Sequence, residues 1–170
     1  MATIQHKVMV KRVKATKIGD VFEVIISDTE KKYMQYVVSD LTELNSDVVR
    51  GFKKTYGVHE NPKIEEIVSD DVDFYAHCDS RFGIKTALWT LYGNSQDIGD
   101  ASSILFRDTS DHGNVMSYNW YVWHPNEEHL HVSVDSELLR KSHIGGVFPS
   151  KMIYERIKNG FFDMVYPRYE

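Results

Sequence analysis

The sequence predicts an α+β fold made mostly of antiparallel β-sheet, barrel-like or strongly curved, with two short helices. Three observations predict it. Aromatic residues are plentiful at 12%, with ten tyrosines, and such side chains suit the pleated surface of a strand. Short apolar runs of period two recur along the chain between Gly, Asn and Asp turn signals. Helical periodicity is confined to two brief segments, so strands follow one another without the regular helices of a parallel sheet.

The elements follow in order. Over residues 8–13, Val8, Val10 and Arg12 share one face, and Met9, Lys11 and Val13 the other. Gly19-Asp20 bends the chain into a second strand with Val21, Phe22, Val24, Ile25 and Ile26. "SDTEKK" turns it, and "KYMQYVV" returns as a third strand, giving a hairpin or meander. "LNSDVVRGFKKTYG" has a capping residue for a helix, but Val48-Val49 and Gly51 favour a strand. "ENPKIEEIVSDD" predicts a short helix ending near Val68, with Asn61 as cap, Pro62 at the first helical position, and Glu65 and Glu66 near its positive end.

"VDFYAHC" and "GIKTALWTLYGN" read as strands. A loop, a short strand at 104–106 and a polar turn come next, followed by strands over 119–123 and 130–134. "FPSKMIYERIKNG" predicts the second helix. Pro149 opens it, Ile153 and Ile157 lie four apart, and Asn159-Gly160 closes it. "FFDMVYP" ends the chain as a last strand, for eight or nine strands in all.

A chain of 170 residues suits one domain with a sizeable core. A formal net charge of −5 weighs against a nucleic-acid binder. The basic group Lys7, Lys11, Arg12, Lys14 and Lys17 reads as solvated strand and turn charge. One cysteine, Cys78, excludes an internal disulfide and suits a reducing compartment. Neither a signal-peptide run nor a membrane span is evident, so the expectation is cytoplasmic.

Chemistry concentrates in "NWYVWHPNEEHLHV", over 119–132. Pro125 marks "HPNEE" as a hairpin turn. Alternation puts Trp120 and Val122 on one face, and Tyr121 and Trp123 on the other. His129 and His131 project together, and an H-x-H pair can hold a metal when a third ligand such as His124 or Glu127 converges. An exposed polar edge strand is the preferred reading.

His77 and Cys78 are adjacent on a strand and point to opposite faces, so Cys78 reads as buried and structural rather than nucleophilic. "RDTSDHGN" offers Asp108, Asp111 and His112 for acid-base work, but a self-bonded turn comes first. Glu60, Glu65, Glu66, Asp70, Asp71 and Asp73 form the largest cluster of one sign. Such a patch suits a basic protein partner, for example a nuclease.

Certain phrases, read together, carry a resemblance: "KIGDVFEV", "YMQYV", "LNSDVVRGFKK", "VDFYAH", "LWTLYGN", "ILFRDT", "NWYVW" and "VYPRY". The chain resembles a family of small bacterial immunity proteins from polymorphic toxin systems, catalogued as immunity protein twenty-six. That resemblance implies a mostly β fold with added helices, no enzymatic activity, no cofactor, and a cognate protein toxin as partner. A homodimer stays open. Glu65, Glu66, Asp70, Asp71 and Asp73, with Tyr75 or Tyr121 as exposed anchors, form the expected toxin-binding surface. The competing expectation is a metal-binding module or metal-dependent enzyme using His129 and His131, completed by His124 or Glu127. A weaker third is a β-barrel module that binds peptide or RNA through the basic N-terminal strand.

Overall fold

Period-two alternation builds a meander of β1 (Asp20–Ile25), β2 (Glu30–Asp40) and β3 (Ser46–Phe52). The first turn is tied by the Ser27 hydroxyl, which accepts the amides of Thr29 and Glu30. β4 (Tyr56–Gly57) returns to the start of β2. After α1 (Ile64–Val68), β5 (Val72–Cys78) pairs antiparallel with β3. α2 (Ser80–Lys85) leads to β6 (Thr90–Asn94), which lies beside β1. A single 3-10 turn at Ala101–Ser103 precedes β7 (Phe106–Thr109), β8 (Trp120–Trp123) and β9 (Leu130–Val132). Last come α3 (Glu137–Lys141), β10 (His143–Ile144), β11 (Val147–Phe148) and α4 (Ser150–Asn159).

The computed structural model describes residues 14–170, so the strand expected over 8–13, with Lys7, Lys11 and Arg12, lies outside the described residues. Within them the fold is α+β and rich in strands. One sheet runs β11-β5-β3-β2-β1-β6, with β4 also on β2, and the other runs β10-β7-β8-β9. Among the described residues neither sheet closes on itself, so the barrel-like form among the expectations is not seen there. β6 and β11 end the larger sheet as opposite edges and do not meet.

Several elements differ from the sequence reading, each for a local reason. The segment 83–94 is not one strand. Asp79 Oδ1 accepts the Phe82 amide at 2.8 Å and starts α2 instead. Gly83 then lets the Trp89 ring lie against that helix, since a Cβ there would sit 1.9 Å from the ring. α1 begins two residues later than expected, because Glu66 rather than Asn61 holds its first turn, accepting the Lys63 amide at 3.1 Å. α3 is a further helix, capped by Ser136, so four short helices replace two. β7 lies at Phe106–Thr109 rather than 104–106, because the 3-10 turn takes up the preceding residues. "FFDMVYP" forms no strand. The strand-like pairing at that end of the chain is an isolated Met116–Arg168 bridge.

The larger sheet is covered on both faces. On one, Phe22, Met34, Val49 and Phe74 pack against Trp89 and against Ile153 and Ile157 of α4. α4 is the helix the sequence predicts, closed by Gly160 at φ +86. On the other face, Val37 and Val48 meet Ile104, Phe106 and Trp123 of the smaller sheet. α1 packs beside them through Ile67 and Val68. The far face of the smaller sheet buries Trp120 and Val122 against Leu139 of α3. The segment 143–148 stitches the two sheets: β10 runs parallel to β7, and β11 parallel to β5.

One carboxylate sits at the junction of the sheets. Asp40, at the end of β2, is fully buried. It accepts His77 Nε2 and Trp123 Nε1, both at 2.9 Å, and the Asn126 amide at 3.2 Å. Asn126 reciprocates: its Oδ1 accepts the Leu41 amide, and its Nδ2 donates to the Ser39 carbonyl. Burial alone would raise the Asp40 carboxyl, but the bonds from His77, Trp123 and Asn126 overcome it and hold the group below its ordinary value. Burial lowers the His77 imidazole, and the Asp40 bond only partly offsets this. Neutral His77 therefore donates to ionised Asp40.

Removing one member leaves buried groups unpaired. Asp40→Ala should cost about 3–5 kcal/mol in denaturant unfolding, because the donors of His77, Trp123 and Asn126 lose their acceptor at about 1–3 kcal/mol each before relaxation. Acid should weaken the fold as well. Unfolded His77 takes a proton near its ordinary 6.5, and the folded ring only at lower pH. Its contribution is thus complete above 6.5 and shrinks as pH falls through that value. His143, also lowered by burial and then by Arg107 and Arg156, acts in the same direction. Asp40 adds a further loss as pH drops below 3.8 toward its folded value. Stability measured between about pH 7 and 5 should decline, and His77→Gln should flatten that decline.

Candidate functional site

The most apolar hollow among those described lies where β5 ends. Cys78 closes the strand, Asp79 caps α2, and Gly83 turns one side of that helix onto Trp89. Phe82, the residue before Gly83 on α2, is left 50% exposed. β11 lies beside the end of β5, with Val147 opposite His77 and 51% exposed. Pro149 starts α4, and the Ser150 hydroxyl donates to the Asp79 carbonyl at 3.2 Å, joining the two helix starts. Between them lies a groove of about 510 Å³ walled by Phe82, Leu88, Val147, Phe148 and Pro149. A second hollow of about 270 Å³, reaching Leu44 and Asp47, adjoins it, and Asp79 and Val147 line both.

The charge around the groove is uneven. Asp47 Oδ2 accepts the amide and the hydroxyl of Ser80, at 3.1 and 2.5 Å. Asp79 spends one oxygen on the α2 cap. Among the described residues, neither carboxylate has a cation in salt-bridge range. Lys151, which also lines the groove, pairs with Glu155 at 3.7 Å. Covering the exposed halves of Phe82 and Val147 would yield roughly 2 kcal/mol, before any polar contact.

The acidic surface expected from the sequence is partly consumed by the fold. Glu66 accepts the Lys63 amide, Asp70 the Lys54 amide at 2.7 Å, and Asp73 the Arg156 guanidinium at 2.8 Å. Asp71 lies 3.7 Å from Lys53, with both exposed, and Glu65 is exposed on α1. These residues flank the start of β5, and the groove flanks its end. A strand of seven residues spans roughly 20 Å, so the two surfaces are separate.

The anchors expected there are corrected. Tyr75 is half-buried against the His143 ring, with centroids 5.2 Å apart. Tyr121 is half-buried on the smaller sheet beside Trp123 and His129, and its hydroxyl is pushed up to about 12 by burial and Asp108. Phe82 is exposed, as are Tyr118 and Phe161 elsewhere on the surface. The signal for Phe82 in the sequence is Asp79 three residues before it, an N-cap spacing hidden inside an apparent strand.

The histidine-rich hairpin forms as read, with Trp120 and Trp123 buried on opposite faces and β9 at a sheet edge. His129 Nδ1 lies 3.1 Å from Glu43, and the His129 and His131 rings are 5.5 Å apart. His124 is tied to the Ile104 carbonyl at 2.7 Å. Glu127 is exposed in the turn, its amide donating to the His124 carbonyl. No group of three His, Cys, Asp or Glu side chains suited to a metal ion occurs among the described residues. Cys78 is fully buried, and burial pushes its thiol up. His112 does pair with Asp108, at 3.1 Å, but the same oxygen serves the Thr109 amide and the Tyr166 hydroxyl and so ties the turn. No described helix is long and apolar enough to cross a membrane.

No family model, curated protein or solved structure matches the chain. Separated ligands set an expectation for the histidine pair. Zinc at twofold excess should leave the melting temperature unchanged and should not be retained at one ion per chain after gel filtration. A stabilisation that vanishes in His129→Ala/His131→Ala would contradict this.

Proposed function

We propose that this protein is a non-enzymatic, immunity-type inhibitor that binds a cognate protein toxin by direct contact. The observation that carries the reading is the apolar groove between α2, β11 and α4, lined by half-exposed Phe82 and Val147 and adjoining Asp47 and Asp79, which have no cation in salt-bridge range among the described residues. Concave apolar surface with a polar rim is what a contact hot spot requires. The family-like phrases point the same way. The acidic residues Glu65, Asp70 and Asp71, at the far end of β5, serve in this reading to steer a basic partner rather than to seat it.

The test is co-expression with the product of the neighbouring toxin-like reading frame, scored by growth and by binding kinetics. Phe82→Asp with Val147→Asp should weaken binding by about tenfold or more, mostly through faster dissociation. Charge reversal at Glu65, Asp70 and Asp71 should instead slow association, most clearly at low salt. Full protection by the groove variant, with unchanged kinetics, would remove the groove from the interface.

A further inference from the structure

We infer that the groove seats an extended segment of the partner that carries a bulky apolar side chain followed, within a residue or two, by lysine or arginine. This rests on the binding reading above and adds the chemistry of the occupant.

The argument is one of complementarity. The floor and walls, Phe82, Leu88, Phe148 and Pro149, offer an apolar side chain a partner on every side. Val147 and Asp79 border both the apolar groove and the smaller hollow that contains Asp47. A chain crossing Val147 therefore passes from an apolar slot to a carboxylate pair with no step between. Those carboxylates lack a cation in salt-bridge range among the described residues, whereas Lys151, which also lines the groove, has Glu155. A basic side chain in the smaller hollow would thus meet two acids that are unneutralised among the described residues, while an acidic one would be repelled by both. β11 is only two residues long and is bounded by Gly146 and Pro149, so it is too short to template a strand. Recognition falls on the side chains instead.

The test uses fluorescein-labelled peptides on the full chain, followed by anisotropy. The probe is acetyl-Val-Phe-Val-Lys-Lys-amide. Its controls replace both lysines with glutamate, or phenylalanine with serine. The probe should bind saturably, with both controls weaker by about tenfold or more. Binding should fall in Phe82→Asp, in Asp47→Asn/Asp79→Asn, and with added salt. The asparagine variants keep the capping oxygen, so an unchanged melting temperature separates lost charge from lost fold.

Equal binding of the glutamate control overturns the inference. So does a probe that binds only after residues 1–13 are removed, because the occupant is then the chain's own segment. Capture of an uncharged apolar dye, lost in Phe82→Asp but without any preference for the basic probe, defeats the inference and leaves the binding reading standing. Failure of both dye and peptides defeats both.

Discussion

The two sheets are held in register by a single buried carboxylate. Asp40 belongs to the larger sheet, Trp123 to the smaller, and Asn126 to the hairpin beyond it, yet all three meet at one group. A buried anion is tolerable only when donors surround it, so the position of each donor is constrained by the others. This fixes how β8 lies over β2, and with it the packing of Phe106 and Trp123 on Val37 and Val48. The hairpin that first suggests chemistry is thus a structural clasp. Its polar residue of consequence is Asn126, at φ +67, rather than a histidine.

Much of this fold is legible in the sequence. The meander β1–β3 follows from short runs of Val, Ile, Phe and Tyr between turn residues, and α4 from its Pro and Gly boundaries and the Ile153/Ile157 spacing, because both signals are local. The division of Trp120 and Trp123 between two faces is legible for the same reason. What is not legible depends on partners far along the chain. Asp40 meets His77 after 37 residues and Trp123 after 83, and nothing local marks it as buried. α2 hides inside an alternating pattern because its decisive contact is Gly83 on Trp89, a matter of missing volume rather than of periodicity.

The candidate surface shares that fate. The acidic run is conspicuous as a list of letters, but three-dimensional bonding commits several of its members to caps and to Arg156. The groove is assembled from α2 and, more than sixty residues later, from the adjoining β11 and start of α4. Each is unremarkable alone. Their meeting is enforced by the parallel pairing of β11 on β5 and by the Ser150–Asp79 bond, so the surface is a product of topology rather than of any motif.

The stitch at 143–148 also sets a timetable. During synthesis the strands β1 to β6 emerge first and can pair with one another, but the strip that completes one edge of their sheet comes some fifty residues later. The same strip completes the smaller sheet, so neither edge is sealed until it arrives. For that interval the nascent chain carries an open sheet edge and the uncovered apolar faces of Phe74 and Cys78. Long-range parallel closure is slow and leaves a chain prone to association. A cell making this protein quickly would therefore feel its late-arriving seam as a demand on chaperones before any question of binding arises.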